Sequence, residues 1–154
     1  MRARTGDEGD VVASVFTRII SGELPARYVW KDERCVAFLS NSPLKEGHVL
    51  VVPRVEVDHW LDLDPALMGH LVHVAQVIGR AQQTALRPEK IAVLIAGLEV
   101  RHVHIHLVPI DRLQDLDFDR QVRDPDPETL DAAASAIRAA LREPGREEAT
   151  AIDE

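Results

Sequence analysis

Residues His102 to Pro109 read His-Val-His-Ile-His-Leu-Val-Pro, three histidines at strict two-residue spacing with aliphatic residues between them. A β-strand sends alternate side chains to opposite faces, so His102, His104 and His106 share one face and Val103, Ile105 and Leu107 the other. Neighbours on one face stand roughly 6.5–7 Å apart. Packing gives no reason for such a row, because as structural residues all three imidazoles would need buried hydrogen-bond partners. Two kinds of chemistry would use it. A neutral imidazole, with an ordinary pKa of about 6.5, is a nucleophile and proton carrier near neutrality. Alternatively, His-x-His on a strand is a ligand geometry for zinc or iron, and His48 offers a further nitrogen.

The surrounding chain fits one domain. Its 154 residues, 45% of them hydrophobic, can enclose a sizeable core. No apolar run approaches the roughly 18 residues of a membrane span. The first ten residues are polar and lack the apolar stretch of a secretory signal. Cys35 is the single cysteine, so no disulfide closes within one chain, which suits a reducing cytoplasm. The net charge of −8 is unevenly spread: from Asp111 onward thirteen acids face six bases, and the remainder is nearly balanced. No basic face for a nucleic-acid polymer is present. A small anionic ligand would be held by local dipoles and imidazoles rather than by a net field.

The elements that position the histidines follow from pattern. After a lead-in over 1–13, expected to be disordered, Val15, Phe16, Ile19 and Ile20 fall at helical spacing within Ser14 to Ser21, closed by Gly22 and Pro25. Arg27 to Val29 and Cys35 to Leu39 read as strands about the polar turn Lys31-Asp32-Glu33-Arg34. A turn-rich loop, Ser40 to Gly47, delivers the chain to His48 and a buried strand, Val49 to Val52. Asp64-Pro65 starts one long amphipathic helix to about Leu86, with Asp as cap and Pro at the first position. Lys90 to Ala96 reads as another strand ended by Gly97, and a short turn should pair it with the histidine strand as an antiparallel hairpin. Glu128 to Arg142 is a C-terminal helix with a modest apolar stripe. Strands and helices do not alternate regularly, so the fold class is α+β on a mainly antiparallel sheet.

Three stretches together resemble the histidine triad (HIT) family of nucleotide hydrolases and transferases: Phe16-Thr-Arg-Ile-Ile-Ser-Gly-Glu-Leu-Pro25, Gly47-His-Val-Leu-Val-Val-Pro53, and the triad strand preceded by Gly97. The likeness covers residues 14–119, leaving 120–154 as an acidic C-terminal extension with a helix at about 128–142. It implies a HIT-like fold, a five-stranded antiparallel sheet with one long central helix, a short N-terminal helix and a C-terminal helix. It further implies a homodimer in which two sheets join and the long helices pack across the two-fold axis. In the family pattern His104 attacks the α-phosphorus of a nucleotide ester, anhydride or phosphoramidate, and water releases the mononucleotide. His106 stabilises or protonates groups around the phosphate, and the carbonyl of His102 fixes the tautomer of the nucleophile. The His102 side chain and His48 form the supporting shell. Phe16, Ile19, Phe38 and Leu50 match positions that wall the base and ribose. Purine nucleotides or their conjugates are the implied ligands, and no cofactor or metal is needed.

Four departures bear on the transfer. Where many members carry an acid for the ribose hydroxyls, this chain has Ser40-Asn41, which can only offer neutral hydrogen bonds. Where a hydroxyl commonly touches phosphate, it has Leu98-Glu99-Val100, and an ionised Glu99 beside a phosphate is repulsive. Either Glu99 points away or the substrate differs from a plain nucleotide. Arg101 could supply a compensating cation, although strand alternation puts it opposite His102. The Cys-x-x-Cys zinc motif of some bacterial members has no cysteine to match it around Ala13 to Phe16. The Ser40-Asn41 and Leu98-Glu99 departures keep open a nucleotide-binding module with little catalysis, and the His-x-His spacing keeps open a metal-dependent enzyme using the same histidines. His70 and His73 read as solvated residues at the margin of the long helix or at a dimer rim, and Cys35 as a small core residue.

Overall fold

Residues 12–143 are described in a computed structural model. Almost all of the lead-in, and the tail beyond Glu143, lie outside them. The order is α1 (Val15–Ile20), β1 (Tyr28–Lys31), β2 (Cys35–Leu39), β3 (Val49–Pro53), α2 (Pro65–Leu86), β4 (Lys90–Leu94), β5 (Ile105–Ile110) and α3 (Pro127–Leu141). Short 3-10 turns lie at Trp60–Asp62, Leu113–Leu116 and Phe118–Arg120. The five strands form one antiparallel sheet in the order β1-β2-β3-β5-β4. Three α-helices accompany it among the described residues, so the α+β class and the five-stranded antiparallel sheet hold.

Alternation along the strands decides the layering. Cys35, Ala37 and Leu39 of β2, Val49 and Val51 of β3, and Ile105 and Leu107 of β5 face α2 and α3 in the main core. Val36, Phe38, Leu50 and Val52 face the other way and pack with Phe16 and Ile19 of α1. Both faces of the central strands are therefore covered, which is why β2, β3 and β5 are buried throughout instead of alternating with polar residues.

The long helix begins as its sequence dictates. Asp64 accepts from the Leu67 N–H at 3.2 Å and Pro65 occupies the first turn. It ends at Arg87 in a left-handed conformation, φ 53°. Helix α3, expected as part of an extension, places Leu130, Ala133, Ala134, Ile137, Ala140 and Leu141 in the main core beside α2.

Two expectations need correction. β4 and β5 do pair antiparallel, but no short turn joins them: β4 ends at Leu94, and the ten residues 95–104 form an irregular loop. The strand itself begins only at Ile105, so His102 lies at a bend and His104 in irregular chain just before it. There the Val103 N–H donates to the carbonyl of Val57 at 2.8 Å, outside the sheet ladder. The division of faces survives this change: Val103, Ile105 and Leu107 stay in the main core, while His104 and His106 open on the other side.

Candidate active site

Several elements bring the histidines together. His106 sits on β5 opposite Leu50 of β3 and Leu94 of β4. His48 closes the 40–47 loop, whose Gly47 has φ +84° and whose pseudo-Cβ would collide with Leu86 of α2. The positive φ is what calls for glycine there, since against the added atom only the tip of the Leu86 side chain would have to move. His48 and His102 are fully buried, while His104 and His106 retain 6% and 8% of their surface. Rings touch in series: Phe16 to His104 at 4.8 Å, His104 to His106 at 4.8 Å, and His106 to Phe118 at 5.4 Å between centroids.

The hydrogen bonds fix each neutral tautomer, because a carbonyl only accepts and an amide N–H only donates. His104 Nδ1 lies 2.7 Å from the His102 carbonyl, so Nδ1 carries the proton and Nε2 keeps a free lone pair. The Leu44 N–H donates to His48 Nδ1 at 3.0 Å, so His48 Nε2 donates to His106 Nδ1 at 2.9 Å. His106 is thereby left with an Nε2–H. One imidazole of the pair is a base and the other a donor. His102 Nε2 donates to the Pro53 carbonyl at 2.8 Å, and its Nδ1 accepts from Ser14 Oγ at 2.7 Å. Ser14 also caps α1 by accepting from the Thr17 N–H at 3.0 Å.

Burial keeps all four rings neutral by disfavouring the cation. It pushes His106 down to about 4 and His48 down to about 3, helped in both by neighbouring imidazoles. His102 and His104 are also lowered by desolvation. For His104 the bond to the His102 carbonyl and the charge of Glu99 work in the opposite direction. At neutral pH the His104 Nε2 is thus available as a nucleophile.

His104 and His106 open into a cleft of about 460 Å³, a size suited to a small ligand. Phe16, Ile19, Phe38, Leu50, Ser40, Asn41 and Glu99 all line it. His48 and His102 stand behind it as partners of the lining histidines. Ser40 is buried and its Oγ accepts from the Ser42 N–H at 3.2 Å, whereas Asn41 is exposed. Arg101 turns away to Asp58 at 3.7 Å. Around Ser14, where the family's zinc motif finds no cysteine, Thr17 Oγ1 donates to Glu56 Oε1 at 2.6 Å, and the Ser14 N–H reaches the same oxygen at 2.9 Å.

Sequence reading missed Phe118 and Gln121. They come from the stretch after β5, which folds back over its own subunit's cleft through Gln121 Nε2 to the Ser42 carbonyl at 2.9 Å and the Val122 N–H to the Pro43 carbonyl at 3.0 Å. Nothing in the local pattern distinguishes that phenylalanine from a surface residue of an acidic loop.

Comparison with known proteins agrees with this geometry. Residues 21–113 match the HIT domain. The chain belongs to the HIT family. A HIT-like protein of Methanocaldococcus jannaschii, itself uncharacterized, is 33% identical over 99 residues, 62% of this chain and 77% of that one. Adenylylsulfatase HINT3 of Arabidopsis thaliana is 28% identical over 100 residues, 62% of this chain and 51% of that protein. A Zn-bound histidine triad family protein from Mycobacterium smegmatis superposes with a TM-score of 0.71 at 31% identity, covering 82% of this chain and 91% of that one. The HIT family thus includes relatives of hydrolase type. No helix among the described residues of this HIT protein is long and apolar enough to cross a membrane.

Proposed function

We propose that this HIT protein is a nucleotide hydrolase or nucleotidyl transferase that works at the α-phosphorus through a nucleotidyl intermediate on His104. One observation carries the reading: the His102 carbonyl holds the Nδ1–H of His104, which leaves a lone pair on Nε2 in an apolar-walled cleft. Phe16, Ile19, Phe38 and Leu50 wall a purine, Ser40 and Asn41 meet the ribose, and the phosphate lies against His104 and His106. His104 Nε2 attacks phosphorus, and the bond to the leaving nitrogen or oxygen breaks. The leaving group keeps that electron pair and takes a proton from water. His106 Nε2–H meanwhile donates to a phosphoryl oxygen, a preorganised site for the charge that gathers there. Water then attacks phosphorus, the proton it loses neutralises the hydroxide left by the first step, the P–Nε2 pair returns to His104, and the mononucleotide departs. Purine nucleoside phosphoramidates and related esters are the substrate class, with no metal or cofactor required, in the cytoplasm.

The assembly we propose is a homodimer. β4 is a sheet edge, with Val93 63% exposed beside Val72 of α2, which is 52% exposed. Between them lies an open hollow of about 640 Å³. An unpartnered edge strand with an apolar flank favours pairing with a second copy.

The deciding experiment is intact-protein mass spectrometry after rapid acid-free quenching with adenylated and guanylated phosphoramidates, comparing the wild type with His104→Ala. A nucleotidyl adduct on the wild type alone is expected, with turnover abolished in the variant while its circular dichroism is retained. Tight nucleotide binding with neither adduct nor released mononucleotide would make the protein a binding module instead.

A further inference from the structure

We propose that Glu99 makes the cleft selective for a cationic leaving group: a nucleotide joined through its α-phosphate to an amine that bears a second, protonated amino group. This rests on the function proposed above and narrows its substrate class. Glu99 lines the same cleft as His104 and His106. It belongs to the irregular 95–104 loop, which Gly97 turns at φ +76° and which leads directly into His104. Its carboxylate charge reaches His104, where it opposes the lowering by burial. The acid therefore flanks the reacting end of the cleft.

No lysine or arginine stands with it among the described residues that line the cleft. The nearest expected cation in sequence, Arg101, is committed to Asp58, and Lys45 reaches Asp115 at 3.8 Å. The histidines are held neutral by burial. A phosphodiester-like anion thus enters a cleft whose sole ionised lining residue, among those described, is itself an anion. A sulfate or phosphate leaving group adds further negative charge beside Glu99. An ammonium group on the leaving amine instead offsets both the phosphoryl charge and the carboxylate. The chemistry balances as before: the P–N bond breaks, the diamine leaves with its electron pair and a proton from water, and a water oxygen ends on phosphorus.

Three AMP phosphoramidates with the same short alkyl chain, ending in ammonium, methyl or carboxylate, test this on the full-length protein. Exposed charge pairs are weak, so the wild type should favour ammonium over methyl by about fivefold in kcat/KM, and over carboxylate by about tenfold or more. Glu99→Gln should bring the three values within about twofold of one another, and Glu99→Lys should reverse their order. The wild-type preference should also shrink as salt is raised, since such charges are screened. Equal values for the three conjugates in the wild type, or the same ratios in Glu99→Gln, would overturn the assignment while leaving the hydrolase reading intact. No turnover or adduct with any conjugate would remove the hydrolase reading and this inference together.

Discussion

Two clusters in this molecule combine histidine with other polar groups, and they are wired in opposite senses. At the β1–β2 turn a carboxylate stands at the centre. Asp32 Oδ2 accepts from Trp30 Nε1 at 2.8 Å and from His70 Nε2 at 2.7 Å, while Oδ1 accepts from the N–H groups of Arg34 and Cys35 at 2.7 and 2.8 Å. Burial alone would raise the Asp32 pKa, but these donors hold it well below the usual carboxylate range. The buried Cys35 thiol beside it is pushed up by desolvation and by that same carboxylate charge, so it is inert at neutral pH. In the triad no carboxylate among the described residues is hydrogen-bonded to any ring, and the chain of donors ends on one lone pair and one N–H that face the cleft. A closed cluster of this kind fixes a turn. An open one is ready to react.

That contrast can be tested by removing one member from each cluster. His106→Ala takes away the donor proposed for the phosphoryl oxygen, and kcat should fall by roughly 100-fold, as for a lost oxyanion donor. Stopped-flow assay with an adenosine phosphoramidate reads this, and unchanged kinetics would deny His106 that role. Asp32→Ala should do the reverse. It strands the Trp30 indole N–H and frees the turn, so urea denaturation should show a loss of about 1–3 kcal/mol, with kcat/KM unaffected.

The two clusters should also separate along the pH axis. His106 near 4 and His48 near 3 lie below their ordinary 6.5, so the unfolded chain takes up these protons first. Their contribution is fully favourable above about pH 6.5 and erodes as pH falls toward 4, with a slope approaching about 1.4 kcal/mol per pH unit for each ring. Asp32, lowered from 3.8, loses its contribution only as pH falls below that value. Urea midpoints between pH 7 and 4 should therefore fall less steeply in His106→Asn than in the wild type, and equally steeply in Asp32→Asn. Ser14→Ala removes a helix cap and the donor to the buried His102 Nδ1 together, and the same urea curves should show a loss of about 1–3 kcal/mol.

Much of this arrangement is legible in the sequence. Asp64-Pro65 and the spacing of Leu71, Val74, Ala75 and Ile78 announce α2, and the alternation from His102 to Leu107 separates reacting face from core. What escapes has a common physical cause: it depends on partners far along the chain. The start of β5 is set by Val57, forty-six residues before Val103, which takes its N–H. His70 reads as a solvated helix residue because nothing near it shows Asp32 waiting across the fold, at 2.7 Å. The tautomers of His104 and His106 depend on a carbonyl and on the Leu44 amide, neither of which has a side-chain signature. Helix α3 looks detachable for the same reason, since its alanines show a stripe but not the α2 surface that it covers.

Gln82 of α2 ties the central helix to the site. It is fully buried, and its amide nitrogen donates to the carbonyls of Gly47 at 2.8 Å and Leu107 at 3.1 Å, the residues that flank His48 and His106. Its own Oε1 has no hydrogen-bond partner among the described residues. The side chain works as a strut between the helix and the two backbone segments that carry His48 and His106. The spacing of the two paired rings is therefore braced from the α2 side of the sheet.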